Sequence, residues 1–169
     1  MARALVTSAT LLLLWVLVAQ INHYLAPLHV SLFPAGLYVT FAALHLPLRG
    51  GLGAVLLAGL LCDASVPATL GTQTLLFALA CLAIQQIRDR LPREETLVQV
   101  LVASVANAGL FLAFSFTQWG RVSAPAAVWG RLFFDLLSSQ AFVVSIGPWF
   151  FALQARALRF ARTETSPID

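Results

Sequence analysis

Residues 97–117 read LVQVLVASVANAGLFLAFSFT, an uninterrupted stretch without a charged side chain. An α-helix needs about 20 mainly apolar residues to cross the roughly 30 Å hydrocarbon core of a bilayer. This stretch therefore predicts a membrane-spanning helix. Five other apolar stretches approach the same length, and together the six predicted spans are about 4–21, 31–46, 51–65, 70–87, 97–117 and 127–153.

The composition of the whole chain agrees with a lipid environment. Of its 169 residues, 60% are apolar and 10% are charged, whereas an ordinary soluble domain has about 45–50% apolar and about 25% charged residues. So few charges cannot cover a globule of this size, which excludes a soluble enzyme, a disordered tail, a disulfide scaffold and a nucleic-acid-binding domain. The sequence predicts an all-α membrane protein with one six-helix transmembrane domain over residues 1–162 and a polar tail at 163–169.

The arginines predict how this domain is oriented. The ends of the spans alternate between two sides, and positively charged residues accumulate on the cytoplasmic side of a membrane. One side receives Arg3, Arg49, Arg88, Arg90, Arg93, Arg156, Arg159 and Arg162, and the other receives Arg121 and Arg131. Both termini are therefore predicted to be cytoplasmic.

Local sequence features modify four of the predicted elements. The spans at 31–46 and 51–65 are short, so they must be untilted, buried by neighbours, or placed where the bilayer is thin. Gly147-Pro148 predicts a kink or break near the end of the sixth span. Glycines after Arg49 indicate a tight turn between the second and third spans.

Three ionisable residues lie at bilayer depth, where a charge is costly and usually faces the interior of the protein. Arg131 and Asp135 are four residues apart on one predicted helix, so they can pair. Asp63 ends the third span at a matching depth, which makes a cluster of all three residues possible. That cluster would form a pocket or a partner contact. The alternative is an Arg131–Asp135 pair with Asp63 capping a helix or meeting lipid headgroups.

Uncharged polar residues give two further expectations. Asn107, at mid-depth in the fifth span, is expected to tie two helices together rather than to bind a ligand. Polar residues near one end of the bundle could line a concavity that faces outward, or could simply lie among headgroups. They are Gln20, Asn22, Thr69, Thr72, Gln73, Thr74, Ser115, Thr117 and Gln118.

The sequence contains no motif that is typical of catalysis or metal binding. Its three histidines have no third ligand at a metal-like spacing, and no nucleophile motif or phosphate-binding glycine loop is present. We therefore expect no catalytic residues, no metal and no cofactor.

Three short motifs between Pro47 and Leu91 resemble the MreD family of bacterial rod-shape-determining proteins. They are PLRGG at 47–51, GLLCD at 59–63 and Leu70-Gly71, eight residues after the aspartate. The chain departs from the family pattern at Pro67 and Thr69, where the family often has glycine and proline. The candidate structural or partner-binding residues in these motifs are Gly59, Asp63 and Gly71. The other candidates of this kind are Asn107, Arg131 and Asp135.

The resemblance implies a function as well as a fold. Proteins of this family are non-catalytic membrane members of the cell-elongation complex. They associate with MreC, and through it with MreB and the RodA–penicillin-binding-protein synthase, to organise sidewall peptidoglycan synthesis. Their fold is similar to that of the six-helix substrate-binding subunits of energy-coupling-factor transporters. The competing hypothesis is therefore that the chain is itself a vitamin-binding subunit of that kind.

Overall fold

The computed structural model describes residues 2–28, 30–65, 71–92, 95–118 and 125–163. Within these ranges the chain is helical and contains no strand, which confirms the predicted all-α class. Short 3₁₀ turns at Ala26–Leu28 and Arg88–Arg90 follow the first and fourth helices. The six α-helices are α1 (Ala2–Leu25), α2 (Ala35–His45), α3 (Leu48–Ser65), α4 (Thr72–Ile87), α5 (Thr96–Gln118) and α6 (Pro125–Thr163).

Two of the helices are long and apolar enough to cross a membrane. Mean hydropathy is 2.0 for Thr96–Gln118 of α5 and 1.5 for Trp129–Ala157 of α6. Only 28% of the most apolar part of each is buried, whereas the core helix of a soluble protein would be mostly buried. Large apolar side chains such as Leu97, Val105 and Trp149 are exposed on these helices. This surface is typical of a protein surrounded by lipid.

The short helix α2 lies at the centre of the bundle. It packs against α3, α4, α5 and α6, while α1, α3, α4, α5 and α6 contact one another in that order around it and α6 returns to α1. Every residue from Pro34 to Leu44 is buried, as expected for a helix that is apolar all round. Its 11 residues are only about 16 Å long. Of the three explanations for the short second span, the structure therefore supports burial by neighbours.

Glycines permit the closest contacts between these helices. A side-chain carbon added to Gly36 of α2 would collide with the carbonyl oxygen of Ala103 on α5. At Gly59 of α3, the same atom would lie 2.5 Å from the Cα of Thr74 on α4. Neither neighbour can move away without displacing its helix, because both contacts involve backbone atoms. These two positions therefore fix how closely α2 approaches α5 and α3 approaches α4.

The sixth helix differs from its predicted form. Of the kink or break predicted at Gly147-Pro148, the break is wrong, because α6 continues through Pro148 as one helix of 39 residues. Gly147 is buried, and a side-chain carbon there would lie 3.0 Å from a methyl of Val100 on α5. The glycine therefore serves close packing between α6 and α5 and does not end the helix.

The starts of α2 and α3 also differ from the sequence prediction. Residues 31–34 are not helical, and α2 begins only at Ala35, after Pro34, since a residue before proline avoids the helical region. In contrast, α3 begins at Leu48, and the amide of Gly51 donates to the carbonyl of Pro47 at 2.8 Å. The glycines expected to form a turn are therefore in the first turn of α3.

Candidate functional site: buried polar groups at the starts of α2 and α4

Asp63, at the end of α3, binds the start of the neighbouring helix α4. Its two carboxylate oxygens accept hydrogen bonds from the amides of Gly71 at 3.0 Å, Gln73 at 2.9 Å and Thr74 at 3.0 Å. The hydroxyl of Thr74 donates a fourth bond at 2.7 Å. The first amides of a helix have no partner within it, and the positive end of its dipole favours an anion. Asp63 is therefore a cap supplied by another helix.

Gly59 and Gly71 belong to the same local structure. Gly71 has φ +92°, a left-handed conformation that other L-residues adopt at a cost, and it directs its amide to Asp63. Gly59 lies one turn before Asp63 on α3 and allows the backbone of Thr74 to approach α3 closely. Gly59, Asp63 and Gly71 thus form one unit that joins α3 to α4. Residues 66–70, which include Pro67, Thr69 and Leu70, lie outside the described residues.

A second polar cluster holds the non-helical residues 31–34, here called the lead-in segment of α2. Asn22 of α1 accepts from the amide of Leu32 at 2.7 Å and donates to its carbonyl at 2.9 Å. From α6, Asp135 accepts from the amide of Ser31 at 2.8 Å, and Ser139 accepts from that of Phe33 at 3.0 Å. In lipid, non-helical backbone must find such partners within the protein.

Asn107 extends this arrangement to the first turn of α2. Its side-chain oxygen accepts from the amide of Gly36 at 3.0 Å, and the residue is fully buried. Asn107 therefore ties α5 to α2. Within the described part of the chain, its side-chain nitrogen has no hydrogen-bond partner.

The three ionisable residues fall into two separate groups. Arg131 and Asp135 form an ion pair, with Nε and Oδ2 3.8 Å apart, in which Arg131 is 59% exposed and Asp135 is 7% exposed. Asp63 forms no ion pair with Arg131 within the described ranges, because its oxygens bind the start of α4. The structure therefore does not join the three residues in one cluster. It instead corresponds to the alternative of an Arg131–Asp135 pair with Asp63 as a cap.

Some of these functional residues were not singled out as sites from the sequence. Asn22 was noted only as a polar residue near the end of a span, and Ser139 was not named as a candidate. The sequence feature that could have indicated this cluster is Pro34. Proline after Ser31-Leu32-Phe33 predicts non-helical residues, and the backbone groups of such residues need hydrogen-bond partners. The sequence does not reveal which side chains supply those partners.

The described residues offer no conventional site for metal binding. None of them form a group of three His, Cys, Asp or Glu side chains that could hold a metal ion. The two buried carboxylates, Asp63 and Asp135, bind backbone amides of the chain itself. This arrangement can hold helices together.

These features describe a helical bundle that is stabilised by its own buried polar groups and that has two apolar helices long enough to cross a membrane. A family model described as the rod shape-determining protein MreD matches residues 2–157. The chain belongs to the MreD family, which confirms the resemblance seen between Pro47 and Leu91. No curated protein and no solved structure is detectably similar to it. Members of this family are shape-determining structural proteins and are generally not enzymes.

Proposed function

We propose that this chain is a non-catalytic integral membrane component of the bacterial cell-elongation complex. In this role it binds MreC and, through MreC, acts with MreB and the RodA–penicillin-binding-protein synthase to organise sidewall peptidoglycan synthesis. The observation that carries the proposal is the family match over residues 2–157. It is a scaffold function, in which the chain holds other proteins in place within the membrane.

The exposed apolar helices supply the surface that such a scaffold needs. Helices associate in lipid through close packing and a few hydrogen bonds, because the hydrophobic effect does not drive association there. Leu57 on α3, Leu79 on α4 and Leu101 on α5 are each more than half exposed. They lie on different sides of the ring around α2, and each side is a candidate docking face for a partner helix.

The proposed setting is the bacterial inner membrane, with six crossings and both termini in the cytoplasm. The unequal distribution of arginines supports this orientation. With six crossings, the starts of α2 and α4, together with the Asp63 cap and the lead-in segment, belong to the outer half of the bilayer. The tail at 163–169 is then cytoplasmic.

The alternative function is that of a vitamin-binding subunit of an energy-coupling-factor transporter, whose six-helix fold we propose is similar. Family membership favours the scaffold. The two functions differ in what accompanies the protein during purification. MreC, which anchors in the membrane, would accompany a scaffold, whereas an ATPase pair and a small vitamin would accompany the transporter subunit.

Coexpression with MreC from the same organism tests the proposal. The chain is purified in mild detergent, and every accompanying protein and small molecule is identified by mass spectrometry. We expect MreC to be retained, and we expect Leu57→Trp, Leu79→Trp or Leu101→Trp to reduce its retention at one face of the ring. The two unaffected variants are the matched controls for folding. Absence of MreC from the purified wild type, or a bound vitamin in its place, would contradict the scaffold function.

A further inference from the structure

A cavity of about 450 Å³ lies beside the lead-in segment of α2, between α1, α3, α4 and α5. Its volume is within the range of about 300–1,000 Å³ that is usual for ligand sites. Most of its wall is apolar and aromatic, and Phe33, Phe77, Phe111 and Phe114 contribute rings to it. None of the described residues that line it is charged. A ligand suited to this cavity is therefore uncharged and largely apolar.

Two buried polar residues on the wall of the cavity, Tyr38 and Gln73, can donate hydrogen bonds to a ligand. Tyr38 is 3% exposed, and its hydroxyl has no hydrogen-bond partner among the described residues. Gln73 is 4% exposed, and its backbone amide is bound by Asp63. Buried polar groups are normally paired. These two groups therefore point to a ligand that accepts hydrogen bonds.

A narrow groove connects the cavity with the lipid-facing surface. It lies between α1 and α3, has a volume of about 110 Å³, and shares Trp15, Tyr38 and Cys62 with the cavity wall. Its outer edges are Leu57 and Leu61, which are exposed. A helix about 10–12 Å across cannot enter so small a groove, but a hydrocarbon chain can.

We propose that the groove and the cavity together bind one molecule of an acylglycerol lipid. One acyl chain lies in the groove between α1 and α3, and an ester carbonyl in the cavity accepts hydrogen bonds from Tyr38 and Gln73. Because the cavity wall carries no charge, a phosphate headgroup stays outside it, and binding does not depend on headgroup charge. The lipid site does not require the partner proposed above, although Leu57 at the edge of the groove is also part of one candidate docking face.

Photolabelling of the full chain in nanodiscs tests the site. The probe is a diacylglycerol with a diazirine in one acyl chain, and the nanodiscs contain phosphatidylethanolamine with or without phosphatidylglycerol. After irradiation, labelled peptides are identified by mass spectrometry. We expect label concentrated on α1 and α3 at the groove, equal in the two lipid mixtures, and displaced by unlabelled diacylglycerol.

Three variants separate specific binding from general contact with lipid. Ala58→Trp fills the groove and should abolish the concentrated label. Gln73→Leu removes one hydrogen bond and should weaken labelling by about three- to tenfold, the equivalent of about 0.7–1.4 kcal/mol. Ala83→Trp, at an exposed position of α4 outside the groove, is the matched control and should label as the wild type does.

The proposal is overturned by any of four results. Label may be spread evenly over all exposed helices of the wild type, or it may require anionic phosphatidylglycerol. Alternatively, Gln73→Leu may label at the wild-type level while eluting as a folded, monodisperse protein. A cross-link from the groove to a second protein instead of lipid would likewise overturn it. Gln73→Leu does not block the groove. This variant therefore tests the lipid site even if Ala58→Trp fails to fold.

Discussion

At the scale of single residues, buried polar side chains of this protein act on backbone groups. Asp63, Asp135 and Asn107 each accept hydrogen bonds from backbone amides on a different element. Their burial could be predicted from the sequence because a polar residue at bilayer depth seldom faces lipid. Their partners could not, because backbone amides need side-chain partners only where a helix starts or the chain is extended. Those places depend on the final fold.

Replacing Asp63 should destabilise the protein strongly. Asp63→Ala leaves three amides and the hydroxyl of Thr74 without their acceptor. Removing one partner of a buried hydrogen bond costs about 1–3 kcal/mol, so we expect a total loss of about 2–4 kcal/mol in the free energy of unfolding. Reversible unfolding in mixed detergent micelles, followed by circular dichroism, measures this change.

Two other substitutions calibrate that measurement. Asp63→Asn keeps one acceptor oxygen and should cost less than Asp63→Ala. Asp89→Ala removes a carboxylate whose side chain is 76% exposed, and it should change stability by less than about 1 kcal/mol. Equal stability of Asp63→Ala and Asp89→Ala would show that the cap of α4 contributes little.

Asp135 and Arg131 should differ in their effect on stability, although they form an ion pair. Asp135→Ala removes the acceptor of the Ser31 amide and should cost about 1–3 kcal/mol. Arg131→Ala removes an exposed partner and should cost about 0–1 kcal/mol. The same unfolding experiment compares them. If Arg131→Ala is the more harmful variant, the ion pair and not the backbone contact stabilises this region.

At the scale of helices, the length of each apolar stretch predicted where the helices lie. All six predicted spans overlap the six α-helices of the described residues. The boundaries were less predictable. Pro34 delays the start of α2, whereas α6 continues through Gly147-Pro148, and Gly147 lies close to Val100 of α5. A glycine or proline therefore acts as a breaker or as a packing contact according to its neighbours, which the sequence alone does not show.

Gly59→Ala should separate α3 from α4. The added methyl would lie 2.5 Å from the Cα of Thr74, so the helices must move apart, and we expect a cost of about 1–3 kcal/mol. Gly109→Ala on α5 is the matched control, because its methyl meets nothing within 4 Å. Thermal unfolding monitored by circular dichroism compares the two variants. Equal melting temperatures would refute close packing at Gly59.

At the scale of the whole molecule, the arrangement of helices could not be read from the sequence. The sequence indicated a short second span but not that α2 is the helix enclosed by the other five. The reason is physical, because exposed and buried faces of helices in lipid are both apolar, and the outward faces of α5 and α6 carry large apolar side chains such as Leu101 and Trp149. Family membership, in contrast, was visible from three short motifs.

Reporter fusions test the predicted orientation of the bundle. Alkaline phosphatase fused after Leu28, in the connection between α1 and α2, should be active because that connection is predicted to lie outside. Fusions after Arg90 and after Asp169 should be inactive, since both positions are predicted to be cytoplasmic, and a green fluorescent protein fusion after Asp169 should be fluorescent. The reverse pattern, or activity at both Leu28 and Arg90, would contradict the six-span topology.

The enclosed position of α2 has a consequence for biogenesis. The ribosome makes α2 long before it makes Asn107, Asp135 and Ser139, which bind the start of that helix. During this interval, the amides of Ser31, Phe33 and Gly36 lack their final acceptors. The nascent chain therefore has to keep this region in water, in the translocation channel or under a chaperone until α6 emerges. We therefore expect the packing of α2 to be completed only after Ser139 of α6 has been made.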